Sequence, residues 1–171
     1  MTTDTTIPLV IRPASKSDIA IISTMAHAIW PEAYGSILSE AQLKYMLNLF
    51  YDHSALEKQF DDQHKFFIAL LAAETVGFAS YSHDNQVGVF KVHKLYVHPM
   101  LQRKGIGKDL LDRIRAEVIA AGGTALRLNV NRKNAACDFY KKYGFRIVGE
   151  EDVAIGEGYF MNDYVMELPL S

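Results

Sequence analysis

The residues with the clearest capacity for chemistry are Gln102-Arg103-Lys104-Gly105-Ile106-Gly107-Lys108. Two glycines here open a helical pattern whose apolar positions are Ile106, Leu110, Leu111, Ile114, Val118 and Ile119. The first turn of a helix carries backbone N–H groups without helical acceptors, and the helix dipole adds positive potential there. With Arg103 and Lys104 beside it, such a loop suits an anion of the size of a pyrophosphate. It is not a Walker A loop. Counting back from Gly107-Lys108, the first glycine of that pattern falls on Gln102, and the required Ser or Thr is Asp109. It is not a Rossmann fingerprint either, because the third glycine falls on Leu110. Taken alone, the loop also fits a plain helix start with solvated basic residues.

The elements around the loop decide how it is presented. Residues 89–98 read as a long strand, and Pro99, which cannot donate to a ladder, ends it. The helix after the loop stops at Gly122-Gly123, and 125–130 is a further strand. This strand–helix–strand unit makes the two strands parallel, with the glycine loop at the end of the first. Before it, 7–12 reads as a strand, followed by a helix capped by Ser15 or Ser17 and interrupted at Pro31. Ser39–Gln42 and Ser54–Glu57 have the form of capping boxes for two more helices. The continuous apolar run 66–72 is a strand buried on both faces, and 76–83 is its hairpin partner across Ala73-Glu74-Thr75. Residues 134–143 form a helix ended by Gly144, and 145–151 and 159–168 are the last strands, joined by a loop with Gly156 and Gly158. The order predicts one domain over 1–171, a mixed α/β layer with helices on both faces and a flexible start at 1–6.

Composition narrows the function. The chain has 171 residues, 49% hydrophobic and 22% charged, with net charge −2, which argues against nucleic acid as the main partner and permits a cationic one. A single cysteine, Cys137, excludes an internal disulfide, and no secretory signal or membrane-length apolar run is visible, so a cytoplasmic protein is expected. The six histidines show no metal-ligand spacing, and no metal is expected. Cys137 has no evident His partner and reads as a small packing residue.

The pattern Q-x-x-G-x-G at Gln102, Gly105 and Gly107, after a strand ending Val97-His98-Pro99, resembles the pyrophosphate loop of the GNAT superfamily of acetyl-CoA-dependent N-acetyltransferases. A second stretch, 129–145 (NVNRKNAACDFYKKYGF), resembles the closing part of the same cofactor site, with Ala136, Tyr140, Gly144 and Phe145 at the family spacing. Lys133 stands where the strictest alignment puts an asparagine, and Asn131 and Asn134 flank it, so either could face the cofactor.

The resemblance implies a GNAT fold: a central, mixed, mostly antiparallel sheet of about seven strands, helices on both faces, and one parallel pair splayed at a bulge. It implies acetyl-CoA as cosubstrate. The pantetheine arm would lie in the gap against the backbone of Leu95, Tyr96 and Val97. The pyrophosphate would meet Gln102 and the backbone of Arg103, Lys104, Gly105, Ile106, Gly107 and Lys108, with Asn129, Asn131, Asn134, Ala136 and Tyr140 closing the site. Tyr140 falls on the family's catalytic tyrosine, where a phenol can donate to the departing thiolate. The same residue read without the family is a ring packed on the sheet.

The acceptor side is less defined. Glu32, Glu74, His93 and Tyr96 are candidates for a general base, with Glu32 placed beside the break between the first helices, where family members often form the acceptor pocket. Trp30 and Tyr34 could line that pocket or belong to the core. Asp163 and Tyr164 fall where an acceptor pocket or a homodimer contact would form. The expected reaction is direct attack of a primary amine, either a small amine such as a polyamine or a peptide amine, on acetyl-CoA. The alternative is a non-catalytic acyl-CoA-binding domain.

Overall fold

The computed structural model describes residues 7–170, so the expectation for 1–6 lies outside the described residues. Seven strands form one sheet: β1 (Leu9–Pro13), β2 (Lys65–Leu71), β3 (Glu74–His83), β4 (Val89–Val97), β5 (Ala125–Asn131), β6 (Arg146–Gly156) and β7 (Tyr159–Pro169). Their order is β1-β2-β3-β4-β5-β7-β6. Only β4 and β5 pair in parallel, as the connection through a helix requires.

Five helices cover the sheet. These are α1 (Ile19–Tyr34), α2 (Glu40–Tyr51), α3 (His53–Asp61), α4 (Ile106–Ala120) and α5 (Ala136–Tyr143). One apolar cluster joins α4 and α5 to one face through Ile106, Leu110, Leu111, Ile114, Val118 and Tyr140. The other joins α1–α3 to the opposite face through Ile22, Ile29, Trp30, Tyr51 and Leu56. Strand β2 feeds both, with Phe67 and Ala69 in the first and Phe66 and Ile68 in the second, which is why its sequence is a continuous apolar run. Ile119 falls off the apolar stripe of α4 and is exposed.

Several expected boundaries are corrected. Pro31 does not interrupt α1, which continues to Tyr34; one missing N–H so near the helix end is tolerated within a well-packed face. Ser39 caps α2 by accepting from Gln42 N–H at 3.1 Å, but the Gln42 amide donates to the Phe160 carbonyl instead of closing the box. Asp52 caps α3 by accepting from Ala55 N–H at 2.7 Å, so Ser54–Glu57 is not the cap. The turn between β2 and β3 is tighter than expected, made by Ala72 and Ala73 with φ of 50° and 65°. Strand β6 extends to Gly156 across much of the expected loop.

The feature that positions the site is the end of the β4–β5 ladder. Parallel pairing runs from Val89↔Ala125 to Val92↔Leu128 and stops, while both strands continue. On its other edge, β4 skips a residue against β3: Ser80 faces Lys94 and Tyr81 faces Val92, leaving His93 as the bulge. Val92, Leu95 and Val97 therefore pack on the α4 side, while Lys94 and Tyr96 turn to the side of α1–α3. One extra residue both opens the sheet and re-aims a lysine.

Candidate active site

The gap between β4 and β5 is lined by a cavity of about 370 Å³. Its walls come from 91–97 on β4, 128–131 on β5, Trp30 and Tyr34 on α1, Phe50 and Tyr51 on α2, Tyr140 on α5 and Asp163 on β7. A second cavity shares Leu95, Val97, Asn134, Ala136 and Tyr140 with the first and extends past Gly107 and Glu32. The two together run from the glycine loop, through the splay, to the far face of the sheet.

At the loop end, the first helical bond is from Asp109 N–H to the Gly105 carbonyl at 3.0 Å. The amides of Ile106, Gly107 and Lys108 thus have no acceptor within α4. Gly105 has φ of 75° and needs glycine for conformational reasons. Gly107 does not. A Cβ there would make only ordinary contacts with Phe139 at 3.7 Å and Val97 at 3.8 Å, and it would stand in the second cavity. The bare backbone at Gly107 leaves that part of the cavity open to a ligand. This is a cradle of the kind a phosphate chain needs, so the residues present fit acetyl-CoA. Lys108 is turned along the helix into an ion pair with Asp112 at 2.7 Å. The side chains of Gln102, Arg103 and Lys104 lie outside the described residues, and their backbone is part of a 3-10 stretch, Pro99–Lys104.

The two asparagines make the same kind of bond and differ in position: Asn131 lines the first cavity and Asn134 both. Asn131 spends its side-chain oxygen on Lys133 N–H at 2.9 Å, forming the turn after β5. Asn134 accepts from Ala136 N–H at 2.9 Å at the start of α5 and lines both cavities. Asn129 donates to Glu151 at 2.9 Å and to Asp163 at 3.4 Å, so its amide steadies Asp163 on the first cavity's wall.

Tyr140 lies where the two cavities meet. Its ring packs edge-on against Phe139 and Phe145, so the packing reading describes the ring, while the residue also lines the opening. Burial pushes the phenol up, keeping it protonated and able to donate. Cys137, one turn earlier, donates its thiol to the Asn131 carbonyl at 3.4 Å, and burial raises that thiol as well.

Trp30 and Tyr34 are both core and cavity wall. Their rings stand 4.7 Å apart, and the Tyr34 hydroxyl meets that of Tyr96 at 2.8 Å. Burial raises the Tyr96 phenol well above its usual value, so it stays protonated and is not available to take up a proton. His93 lies parallel to His64 at 4.1 Å and meets Ser82 Oγ at 2.7 Å through Nε2. Desolvation, with Lys91, Lys94 and His64 nearby, pushes it down to about 3, so it stays neutral and binds a proton too weakly to take one from an ammonium. Glu74 sits at the β2–β3 turn, away from either cavity. Glu32 is exposed and faces the second cavity, on the loop side of the gap. Asp163 is 6% exposed on the first cavity's wall, and desolvation raises its carboxyl.

Composition and spacing gave no role to Lys94. It is 8% exposed, lines the splay, and has no carboxylate within ion-pair distance among the described residues. Its ammonium lies 4.7 Å from the Tyr51 ring centre, and desolvation pushes it down to about 8. The bulge that aims it inward is a register property, invisible in a single strand. Among the described residues, no group of three His, Cys, Asp or Glu could hold a metal ion, and no helix is long and apolar enough to cross a membrane.

A family model for the acetyltransferase (GNAT) domain matches residues 36–168. The chain belongs to the GNAT acetyltransferase family. Acetyl-CoA is that family's cosubstrate, and the GNAT fold supplies the splayed strands described above. The PaiA N-acetyltransferase from Thermoplasma acidophilum, solved in complex with coenzyme A, superposes with a TM-score of 0.81 at 24% identity, covering 96% of this chain and 100% of that one. A GCN5-related N-acetyltransferase from Rhodopseudomonas palustris gives 0.79 at 23% identity, covering 94% and 95%. These likenesses are of fold. An IAA acetyltransferase from Azospirillum brasilense is 33% identical over 82 residues, 47% of this chain. That match spans about half, 54%, of the relative's length.

Proposed function

We propose that this GNAT protein transfers the acetyl group of acetyl-CoA to a primary amine by direct attack within a ternary complex. The observation that carries the reading is the ladder end at Val92↔Leu128, with the Gly107 cradle at one end of the opening and Tyr140 in its middle. Acetyl-CoA supplies the activated thioester. The amides of Ile106, Gly107 and Lys108 hold its phosphates, the backbone of 95–97 lines its pantetheine arm, and Asn134 and Ala136 close over it. The phenol of Tyr140 donates its proton to the departing sulfur. Asp163, with its carboxyl raised by burial and steadied by Asn129, orients the incoming ammonium and takes up the proton that it must lose before attack. Trp30 and Tyr34 wall the acceptor end and keep water from the thioester. Glu32 lies on the cosubstrate side of the gap and is not assigned the base.

The test is release of free thiol from acetyl-CoA by the purified protein, measured across a panel of primary amines. Amine-dependent release that saturates in both substrates is expected. Tight CoA binding with no release for any amine would instead favour a non-catalytic acyl-CoA-binding domain.

A further inference from the structure

The charges along the cavity are not evenly spread. On the β4 side stand Lys94, Lys91, His93 and His64. Lys94 is buried, no carboxylate lies within ion-pair distance of it among the described residues, and its ammonium faces the rings of Tyr51 at 4.7 Å and Phe50 at 6.0 Å. The Nδ1 atom of His64, which also lines the cavity, is buried without a hydrogen-bond partner among the described residues. Across the gap, Asp163 on β7 is the buried carboxylate of the wall and is held by Asn129. An ammonium shut away from water without an anion is an unfavourable arrangement. It is relieved when a ligand brings the anion. A polyamine would do the reverse, placing a second ammonium beside Lys94.

We infer that the acceptor is an amine that also carries a carboxylate, an amino acid in chemical class, whose carboxylate pairs with Lys94 while its amino group lies toward Asp163 and Tyr140. This rests on the amine acetyltransferase reading and narrows its acceptor. The aromatic wall of Trp30, Tyr34, Phe50 and Tyr51 suits an apolar side chain on that amino acid. The cavity volume of about 370 Å³ limits it to a small molecule.

The test compares matched pairs that differ only in the carboxylate: L-leucine with isoamylamine, L-phenylalanine with phenethylamine, and spermidine as a polyamine. Binding to the CoA-loaded protein is measured by calorimetry for wild type, Lys94→Met and Lys94→Arg. At least one amino acid should bind tenfold or more tightly than its decarboxylated partner and more tightly than spermidine. Lys94→Met should abolish that difference with the CoA dissociation constant unchanged, and Lys94→Arg should retain part of it. The inference is overturned if no pair differs, if spermidine binds best, or if the preference survives in Lys94→Met. Thiol release separates this outcome from the broader reading. Lys94-dependent binding without acetyl transfer sinks the enzyme reading and leaves the carboxylate site standing. Acetylation of amines regardless of a carboxylate does the opposite.

Discussion

Lys94 sets stability against function within one side chain. Its ammonium falls from the ordinary 10.5 to about 8 because burial disfavours the charged form. At about 1.4 kcal/mol per tenfold change in protonation, keeping it charged at neutral pH costs up to about 3 kcal/mol, part of which the Tyr51 face offsets. The unfolded chain holds this proton up to 10.5 and the folded chain only to about 8. The penalty is therefore complete below pH 8 and disappears as pH rises to 10.5. Lys94→Met should raise the melting temperature at pH 7 by several degrees, and the gap should narrow between pH 8 and 10.5. Calorimetric scans at pH 7 and pH 10 check this; a lower melting temperature for Lys94→Met at pH 7 would contradict it. The place of Tyr140 on the cavity wall was legible in the sequence because its distance to Gly144 and Phe145 is a local property of one helix. Lys94 was not, because its orientation depends on the residue that β3 skips.

At the scale of elements, the glycine loop contains two glycines with different duties. Gly105 must adopt φ of 75°, where a side chain costs about 1–2 kcal/mol. Gly107 leaves room for a Cβ among its protein neighbours, but that Cβ would stand in the cavity that the account gives to the phosphates. Gly105→Ala should lower the melting temperature by a few degrees. Gly107→Ala should leave it nearly unchanged and raise the CoA dissociation constant tenfold or more, about 1.4 kcal/mol. Thermal scans and CoA titration of both variants distinguish the two duties; normal CoA affinity in Gly107→Ala would remove the cradle. The order of strands and helices was readable from turn residues and periodicity, and the two-sided burial of β2 from its apolar run. The caps were less readable. Ser54–Glu57 has the form of a box, yet Asp52 sits two residues earlier, and its carboxylate takes the Ala55 amide first. The Gln42 amide finds the Phe160 carbonyl, a contact 118 residues away that no local pattern encodes.

For the molecule as a whole, the site sits between the two apolar clusters. Leu95 and Val97 face one, Tyr96 and Trp30 belong to the other, and Tyr140 borders the opening from the α5 side. A ligand in the splay touches both clusters and completes the sheet where β4 and β5 part. Binding should then stabilise the fold as one unit. At 100 times its dissociation constant, CoA should add about 2.7 kcal/mol, or roughly 5–10 °C in melting temperature. ATP has phosphates for the loop but no pantetheine arm for the gap, and should add much less. Equal stabilisation by ATP and CoA in a thermal-shift series would mean that the splay is not occupied. The family and its donor side could be recognised in the sequence because both motifs are short and continuous. The proposed acceptor side draws on α1, α2, β4, β5 and β7 at once, and only the folded chain brings Lys94, Asp163 and the aromatic wall around one cavity.

The most direct measurement of the central claim is the turnover of Tyr140→Phe beside its affinity for CoA. Tyr140 carries a phenol at the place where the two cavities meet, within the stretch where the account puts the sulfur. The account predicts a kcat lower by tenfold or more, with a CoA dissociation constant within about twofold of wild type, so that about 1.4 kcal/mol or more is lost from the transition state alone. An unchanged kcat across the amine panel, with CoA still bound, would remove Tyr140 from the chemistry and with it the placement of acetyl transfer in the splay.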